Sequence, residues 1–251
     1  MNYVRRGDGP AFVMVHGFLS GWEYWEKQID SLSDAFEVIS FDNVGYGHRT
    51  EELGRDSVNQ FARDILDQLD QLGITDFHLI GHSMGGMIAQ EISLIAPERV
   101  NRLVLFGTGP RGDLPGRFEP LEVSMKKAQE HGVVETKRYT VASWFRIGEQ
   151  HPEYEPGLRM ASSVSLETFI NGLKAMAGWS ATGRLNQIKS PTLVIWGDLD
   201  RSYTWEYQPF VLWREIPECN LAVMPNCSHN AHLENPELFN KLLRDFLQQA
   251  N

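Results

Sequence analysis

Phe77-His78-Leu79-Ile80-Gly81-His82-Ser83-Met84-Gly85-Gly86 is the stretch on which the reading of this 251-residue chain turns. An apolar run ends in a serine framed by glycines, the pattern G-x-S-x-G, which sets a serine on a sharp turn between a buried strand and a helix. The turn lifts the hydroxyl clear of the sheet. It also brings strand and helix so close that a larger side chain on either flank would collide. Alone, the pattern is common, because glycine and serine are abundant and many turns need small residues. Its meaning depends on a strand before it, a helix after it, and an acid and a histidine later in the chain.

Short apolar runs alternate with helical patterns, the signature of an α/β fold with a mostly parallel sheet flanked by helices. The runs Phe12–Val15, Val38–Phe41, Phe77–Ile80, Leu103–Phe106, Thr192–Trp196 and Leu221–Met224 predict strands, most of them buried on both faces. Asn2 to Arg6 predicts a further edge strand. Trp22, Trp25, Ile29 and Leu32 share one helical face, as do Val58, Phe61, Ile65, Leu69 and Leu72. The last helix is expected to start with Asn235 as N-cap and Pro236 at its first position. From Pro110 to Leu185 no strand-like run occurs. A Gly- and Pro-rich stretch (Pro110 to Pro120) leads into helical patterns, the last carrying Leu166, Phe169, Ile170, Leu173 and Met176 on one face. Positions 110–185 are therefore expected to form a helical cap inserted into a core built from positions 1–109 and 186–251.

Composition narrows the partners. Hydrophobic residues make up 42% and charged residues 22%, an ordinary globular balance. A net charge of -10 argues against nucleic acid or an anionic membrane as partner. No apolar run approaches the ~20 residues that span a bilayer, and no signal peptide follows Arg5 and Arg6, so a cytoplasmic location is expected. Cys219 and Cys227 flank a strand-like segment that separates them by roughly 25 Å if extended, too far for a disulfide. Histidines in H-E-x-x-H spacing are absent, and neither a metal nor another cofactor is expected. Nothing in the pattern sets an oligomeric state.

A serine hydroxyl is a poor nucleophile without an adjacent base, usually a histidine oriented by a carboxylate. In an open parallel sheet such groups gather beyond the carboxyl ends of the strands. Two loops supply them: Gly197-Asp198-Leu199-Asp200, and Pro225-Asn226-Cys227-Ser228-His229-Asn230-Ala231-His232. The residues alone leave Asp198 against Asp200, and His229 against His232, open.

With these pieces the chain resembles the α/β-hydrolase superfamily over essentially its whole length. The resemblance is carried by His16-Gly17-Phe18, Asp42 to Gly47, the Gly81–Gly86 turn, Pro191 to Asp200, and His229 with Leu233-Glu234-Asn235-Pro236 downstream. It implies Ser83 as nucleophile, Asp200 (strand, Gly, two residues, Asp) as acid, and His229, four residues before the Leu-Glu pair, as base. It also implies an oxyanion hole made by the backbone N–H groups of Phe18 and Met84. His16 then reads as a loop organiser and His82 as structural. One departure stands out: where the family commonly has D-x-R-G-x-G-x-S, this chain has Asp42-Asn43-Val44-Gly45-Tyr46-Gly47-His48-Arg49.

Relatives that cleave carbon–halogen bonds or epoxides use aspartate at the turn, so Ser83 excludes both. The expected activity is hydrolysis of carboxylic esters of small, mostly apolar substrates through an acyl-enzyme on Ser83. Trp144, Phe145 and Trp179 are the candidate pocket residues. A second expectation is carbon–carbon hydrolysis of ring-cleavage diketones, or enol-lactone hydrolysis. Carbon–carbon hydrolases of this superfamily generally carry Trp after the catalytic histidine, where this chain has Asn230. A third is a ligand sensor of the same fold, which Gly85-Gly86 disfavours.

Overall fold

Seven strands form one sheet: β1 (Tyr3–Arg6), β2 (Ala11–Val15), β3 (Glu37–Phe41), β4 (Phe77–His82), β5 (Val100–Phe106), β6 (Thr192–Gly197) and β7 (Cys219–Met224). This is the architecture of a computed structural model that describes residues 2–113 and 119–249. Of the Gly- and Pro-rich stretch at 110–120, positions 114–118 lie outside the described residues. The strand order is β1-β3-β2-β4-β5-β6-β7, with β1 antiparallel to β3 and every other pair parallel.

Alternation along the strands explains two cores. Val13, Val15, Leu79 and Leu103 face one side, where they pack with α2 (Val58–Gln71) and α3 (Met84–Ile95). Phe12, Met14, Ile80, Val104 and Phe106 face the other, against α1 (Glu26–Leu32) and the C-terminal helix. Because the chain runs from β2 outward to β3 and returns to β4, the strand order reverses between β2 and β4. The crevice at such a switch point is where ligands of open α/β sheets bind. His16-Gly17-Phe18 leave β2 there and Ser83 leaves β4 there, on level ends, since Val15 pairs with Gly81.

Between β5 and β6 come α4 (Leu121–His131), α5 (Val133–Ser143), α6 (Tyr154–Ser163) and α7 (Leu166–Ala177). The two ends of this insertion run together: Ala181 N–H donates to Pro110 O at 2.7 Å and Gly112 N–H to Trp179 O at 3.2 Å. α7 lies against the switch-point loops. Phe169 and Phe18 have ring centroids 5.1 Å apart, and a Cβ on Gly172 would lie 2.7 Å from Phe18 Cε2. The core resumes with α8 (Pro209–Glu215), α9 (Ala231–Glu234) and α10 (Pro236–Leu247).

Three local expectations needed adjustment. Trp22–Trp25 form a 3-10 turn and only Glu26–Leu32 is α-helical. Leu166 opens α7 in its first turn and is 42% exposed, while Phe169, Ile170, Leu173 and Met176 are buried. β7 is an edge strand, so Val223 is exposed rather than covered on both faces. Among the described residues no helix is long and apolar enough to cross a membrane.

The start of α10 matches its sequence signal: Asn235 Oδ1 accepts from Leu238 N–H at 3.3 Å and Pro236 follows. Asn235→Ala is expected to cost about 1 kcal/mol. This should appear in urea unfolding as a lower midpoint at unchanged slope.

Candidate active site

Ser83 sits at φ 55°, ψ -120°, a region a non-glycine residue occupies only when its surroundings over-determine it. They do so here. Its N–H donates to Phe106 O at 3.0 Å, and its carbonyl accepts from Gly86 N–H at 2.9 Å and from Thr108 Oγ1 at 2.8 Å. The flanking glycines have no room for a side chain. A Cβ on Gly81 would lie 2.1 Å from Gly85 O, one on Gly85 2.2 Å from Val15 O, and one on Gly86 2.5 Å from Thr108 Cβ.

His229 and Asp200 meet by a route independent of that turn. His229 Nδ1 donates to Asp200 Oδ2 at 2.9 Å with both side chains buried. Asp200 Oδ1 accepts from the N–H groups of Ser202 at 2.7 Å and Tyr203 at 3.2 Å, which compensates the burial of its charge. With the proton on Nδ1, Nε2 is left as the acceptor nitrogen. Asp198 is exposed and, among the described residues, accepts only from Cys227 N–H, at 3.3 Å. Gly107, at φ 50°, supports the imidazole: a Cβ there would lie 3.2 Å from His229 Nδ1. Ser83 is bonded to Phe106, the residue before Gly107, so the Phe106–Gly107 corner brings Ser83 and His229 to one place. They do not hydrogen-bond each other among the described residues.

His82 and His232 back His229. The His82 ring is 4.5 Å from His229 and 5.2 Å from His232, and His82 Nε2 donates to His229 O at 3.1 Å. His232 is boxed by Tyr24, Trp25, Phe106 and Phe239. Burial, reinforced by the neighbouring imidazoles, pushes His82 well below the ordinary histidine range; burial brings His232 down to about 3. His16 ties two loops, its Nε2 accepting from Asn43 N–H at 2.9 Å and its Nδ1 donating to Gly17 O at 2.8 Å. Burial lowers its pKa as well. In the divergent Asp42–Arg49 turn, Asp42 accepts from the N–H groups of Trp22 and His48, and a Cβ on Gly47 would lie 2.1 Å from Asp42 Oδ1.

The Phe18 loop passes directly over the serine, since a Cβ on Gly17 would lie 3.1 Å from Ser83 Cβ. Neither the Phe18 nor the Met84 backbone N–H donates a hydrogen bond among the described residues. The three aromatic candidates separate. Trp144 reaches the site, with its ring 6.2 Å from His229 and its carbonyl accepting from Asn230 N–H at 3.0 Å. Phe145 stacks on His151 at 4.5 Å. Trp179 donates to Glu91 Oε2 on α3 at 3.0 Å, beside Arg184 and Asn59. Tyr203 stacks on His229 at 5.5 Å and 15°. Gly107-Thr108-Gly109 carries one local signal in the sequence, a glycine pair immediately after a strand. Among the described residues no cluster of His, Cys, Asp and Glu is able to hold a metal, and Cys219 and Cys227 form no disulfide.

The family model described as the alpha/beta hydrolase fold matches residues 10–236. A 2-hydroxy-6-oxononadienedioate/2-hydroxy-6-oxononatrienedioate hydrolase of Paraburkholderia phymatum is 32% identical over 99% of this chain and 91% of its own. A relative from Azorhizobium caulinodans that is named a carbamate hydrolase is 27% identical, covering 98% of each chain. A thermophilic esterase from Thermogutta terrifontis superposes with a TM-score of 0.88 at 26% identity, over 98% of this chain and 92% of that one.

The buried neutral imidazoles carry a stability consequence. His82 and His232 have folded pKa values below the unfolded value of 6.5, so the unfolded chain binds more protons as pH falls. Their stabilisation is complete above pH 6.5 and is lost progressively below it, toward about pH 3 for His232. Each contributes a slope of at most about 1.4 kcal/mol per pH unit. His232→Phe, which keeps the aromatic box filled, should flatten the decline in unfolding free energy between pH 6.5 and 4. An unaltered slope would refute this.

Proposed function

Because the chain belongs to the alpha/beta hydrolase fold family and is a hydrolase, we propose that it acts as a serine hydrolase on carbonyl substrates, with small carboxylic esters as its principal class. Ser83 Oγ attacks the carbonyl carbon while His229 Nε2 takes its proton. Asp200 holds the imidazole through Nδ1 and stabilises the imidazolium that forms. The Phe18 and Met84 N–H groups bind the oxyanion, with the positive end of α3 behind Met84. His229 then protonates the leaving alcohol, and water cleaves the acyl-enzyme by the same steps in reverse. The insertion at 110–185 serves as the cap, with Trp144 facing the substrate.

The observation that carries this reading is the buried His229–Asp200 pair at 2.9 Å beside the Phe106–Gly107 corner to which the Ser83 N–H is bonded. A catalytic base needs a fixed tautomer, and this contact supplies it. The likeness to the Thermogutta terrifontis esterase supports an ester as substrate. A second reading, carbon–carbon hydrolysis of a ring-cleavage diketone, is supported by the Paraburkholderia phymatum relative. Against it stands Asn230 after His229, where carbon–carbon hydrolases of the superfamily generally carry Trp.

Ser83→Ala should reduce ester hydrolysis by at least about 10³-fold with circular dichroism unchanged. Asp200→Asn should cost on the order of 10³–10⁴-fold, and Asp198→Asn little; the reverse ranking would move the acid to Asp198. A panel of esters of graded acyl length, enol-lactones, carbamates and a vinylogous diketone, assayed for turnover, separates the substrate classes. Preferential turnover of the diketone would displace the ester reading.

A further inference from the structure

Thr108 and Gln90 have no part in the chemistry above, yet both tie the Ser83 turn to the loop that supports His229. Thr108 Oγ1 donates to Ser83 O at 2.8 Å. Gln90 Nε2, from α3, donates to Gly109 O at 3.0 Å and to Gly86 O at 3.1 Å. Both side chains are buried, at 2% and 0% exposure. Three consecutive residues therefore make three different contacts: Gly107 under the His229 ring, Thr108 on the Ser83 carbonyl, Gly109 on Gln90.

We propose that Gly107-Thr108-Gly109 is a positioning strap, in which the Thr108 hydroxyl aims the Met84 N–H and sets the placement of Ser83 against His229, with Gln90 as its anchor. This rests on the reading of Ser83 as nucleophile and Met84 N–H as oxyanion donor. The planarity of the peptide bond links the two ends of this contact. The Ser83 carbonyl and the Met84 N–H belong to one rigid trans unit and point in opposite directions. Whatever holds the carbonyl also aims the amide. Gly86 N–H and Met87 N–H hold that carbonyl at 2.9 and 3.3 Å, but both belong to α3 and fix the plane only relative to its own helix. Thr108 follows β5 and fixes the plane relative to the corner that packs against the His229 ring. The strained backbone of Ser83 makes such external support consequential, because it persists only while its neighbours over-determine it. Gln90 keeps the strap against α3 by bonding Gly109 and Gly86 with one amide.

The test uses a fluorophosphonate, which reads the machinery without a known substrate. Ser83 Oγ forms a bond to phosphorus, fluoride departs, and the serine proton passes to His229. Labelling rate constants are compared for wild type, Thr108→Val (isosteric, no hydroxyl), Thr108→Ser (hydroxyl, no methyl) and Gln90→Met, with melting temperatures measured in parallel. Thr108→Val is expected to label at least roughly tenfold more slowly, with Thr108→Ser within about threefold of wild type. On any ester the enzyme turns over, Thr108→Val should lower kcat at near-constant KM. Gln90→Met should also label more slowly, and it carries the test if Thr108→Val does not fold. Labelling of Thr108→Val at the wild-type rate, or an equal loss in Thr108→Ser, overturns the proposal, since the methyl packing against Gly86 would then be what matters. A wild-type rate in Gln90→Met removes Gln90 as the anchor and overturns the strap as stated. A wild type that does not label at all overturns instead the reading of Ser83, and the strap with it.

Discussion

The close approach of α3 to the carboxyl ends of β2 and β4 is the constraint on which the rest of the structure depends. The helix starts one residue after Ser83 and its first turn presses on the backbone of β2, so that Gly85 Cα faces Val15 O with no room for a methyl group. That proximity forces Ser83 into a positive-φ conformation and leaves the Met84 N–H at the head of the helix without an intrahelical partner. The glycines at 81 and 85 are therefore one steric requirement read at two positions, while Gly86 leaves room for the Thr108 side chain after β5. Relaxing any of them would move the helix, and with it the serine and the amide.

Around that constraint the molecule separates charge from neutrality. Asp200 is buried with three hydrogen bonds from His229, Ser202 and Tyr203. Its buried carboxylate is compensated by these donors. The imidazoles behind His229 are kept uncharged by burial, and His16 likewise. His82, Tyr203 and Trp144 form a largely aromatic wall against the His229 ring, which is itself bonded to one carboxylate. The helices inserted between β5 and β6 complete the wall: Trp144 binds the Asn230 amide through its carbonyl, and α7 packs on Phe18.

How much was legible in the sequence follows the range of the interactions involved. Strands and the Ser83 turn are local, and the apolar runs at Phe12, Val38, Phe77, Leu103 and Thr192 fall inside the observed strands. Asn235 and Pro236 mark the start of α10 in sequence as in structure. Leu166 misleads because helical periodicity assigns it to a face without saying which turn lies beyond the packed surface. The Leu221–Met224 run looks like a buried strand, but burial depends on a neighbour, and β7 has none on its outer side. Trp179 has the composition of a pocket residue and the position of an anchor, which only its bond to Glu91 reveals.

By itself the sequence determined the alternation of strands and helices, the serine on its turn, and a short choice of acids and histidines on later loops. These are written in nearest-neighbour patterns and steric needs that operate within a few residues. Only the tertiary structure decided that Asp200 and not Asp198 faces His229, that His232 is enclosed by aromatic rings, and that Thr108 reaches the Ser83 carbonyl. Those outcomes depend on the order of strands in the sheet, which brings Ser83 and Thr108, 25 positions apart, and Asp200 and His229, 29 apart, within hydrogen-bonding distance and sets His232 against Trp25. No local pattern encodes that proximity, because it arises from the burial of both sheet faces at once.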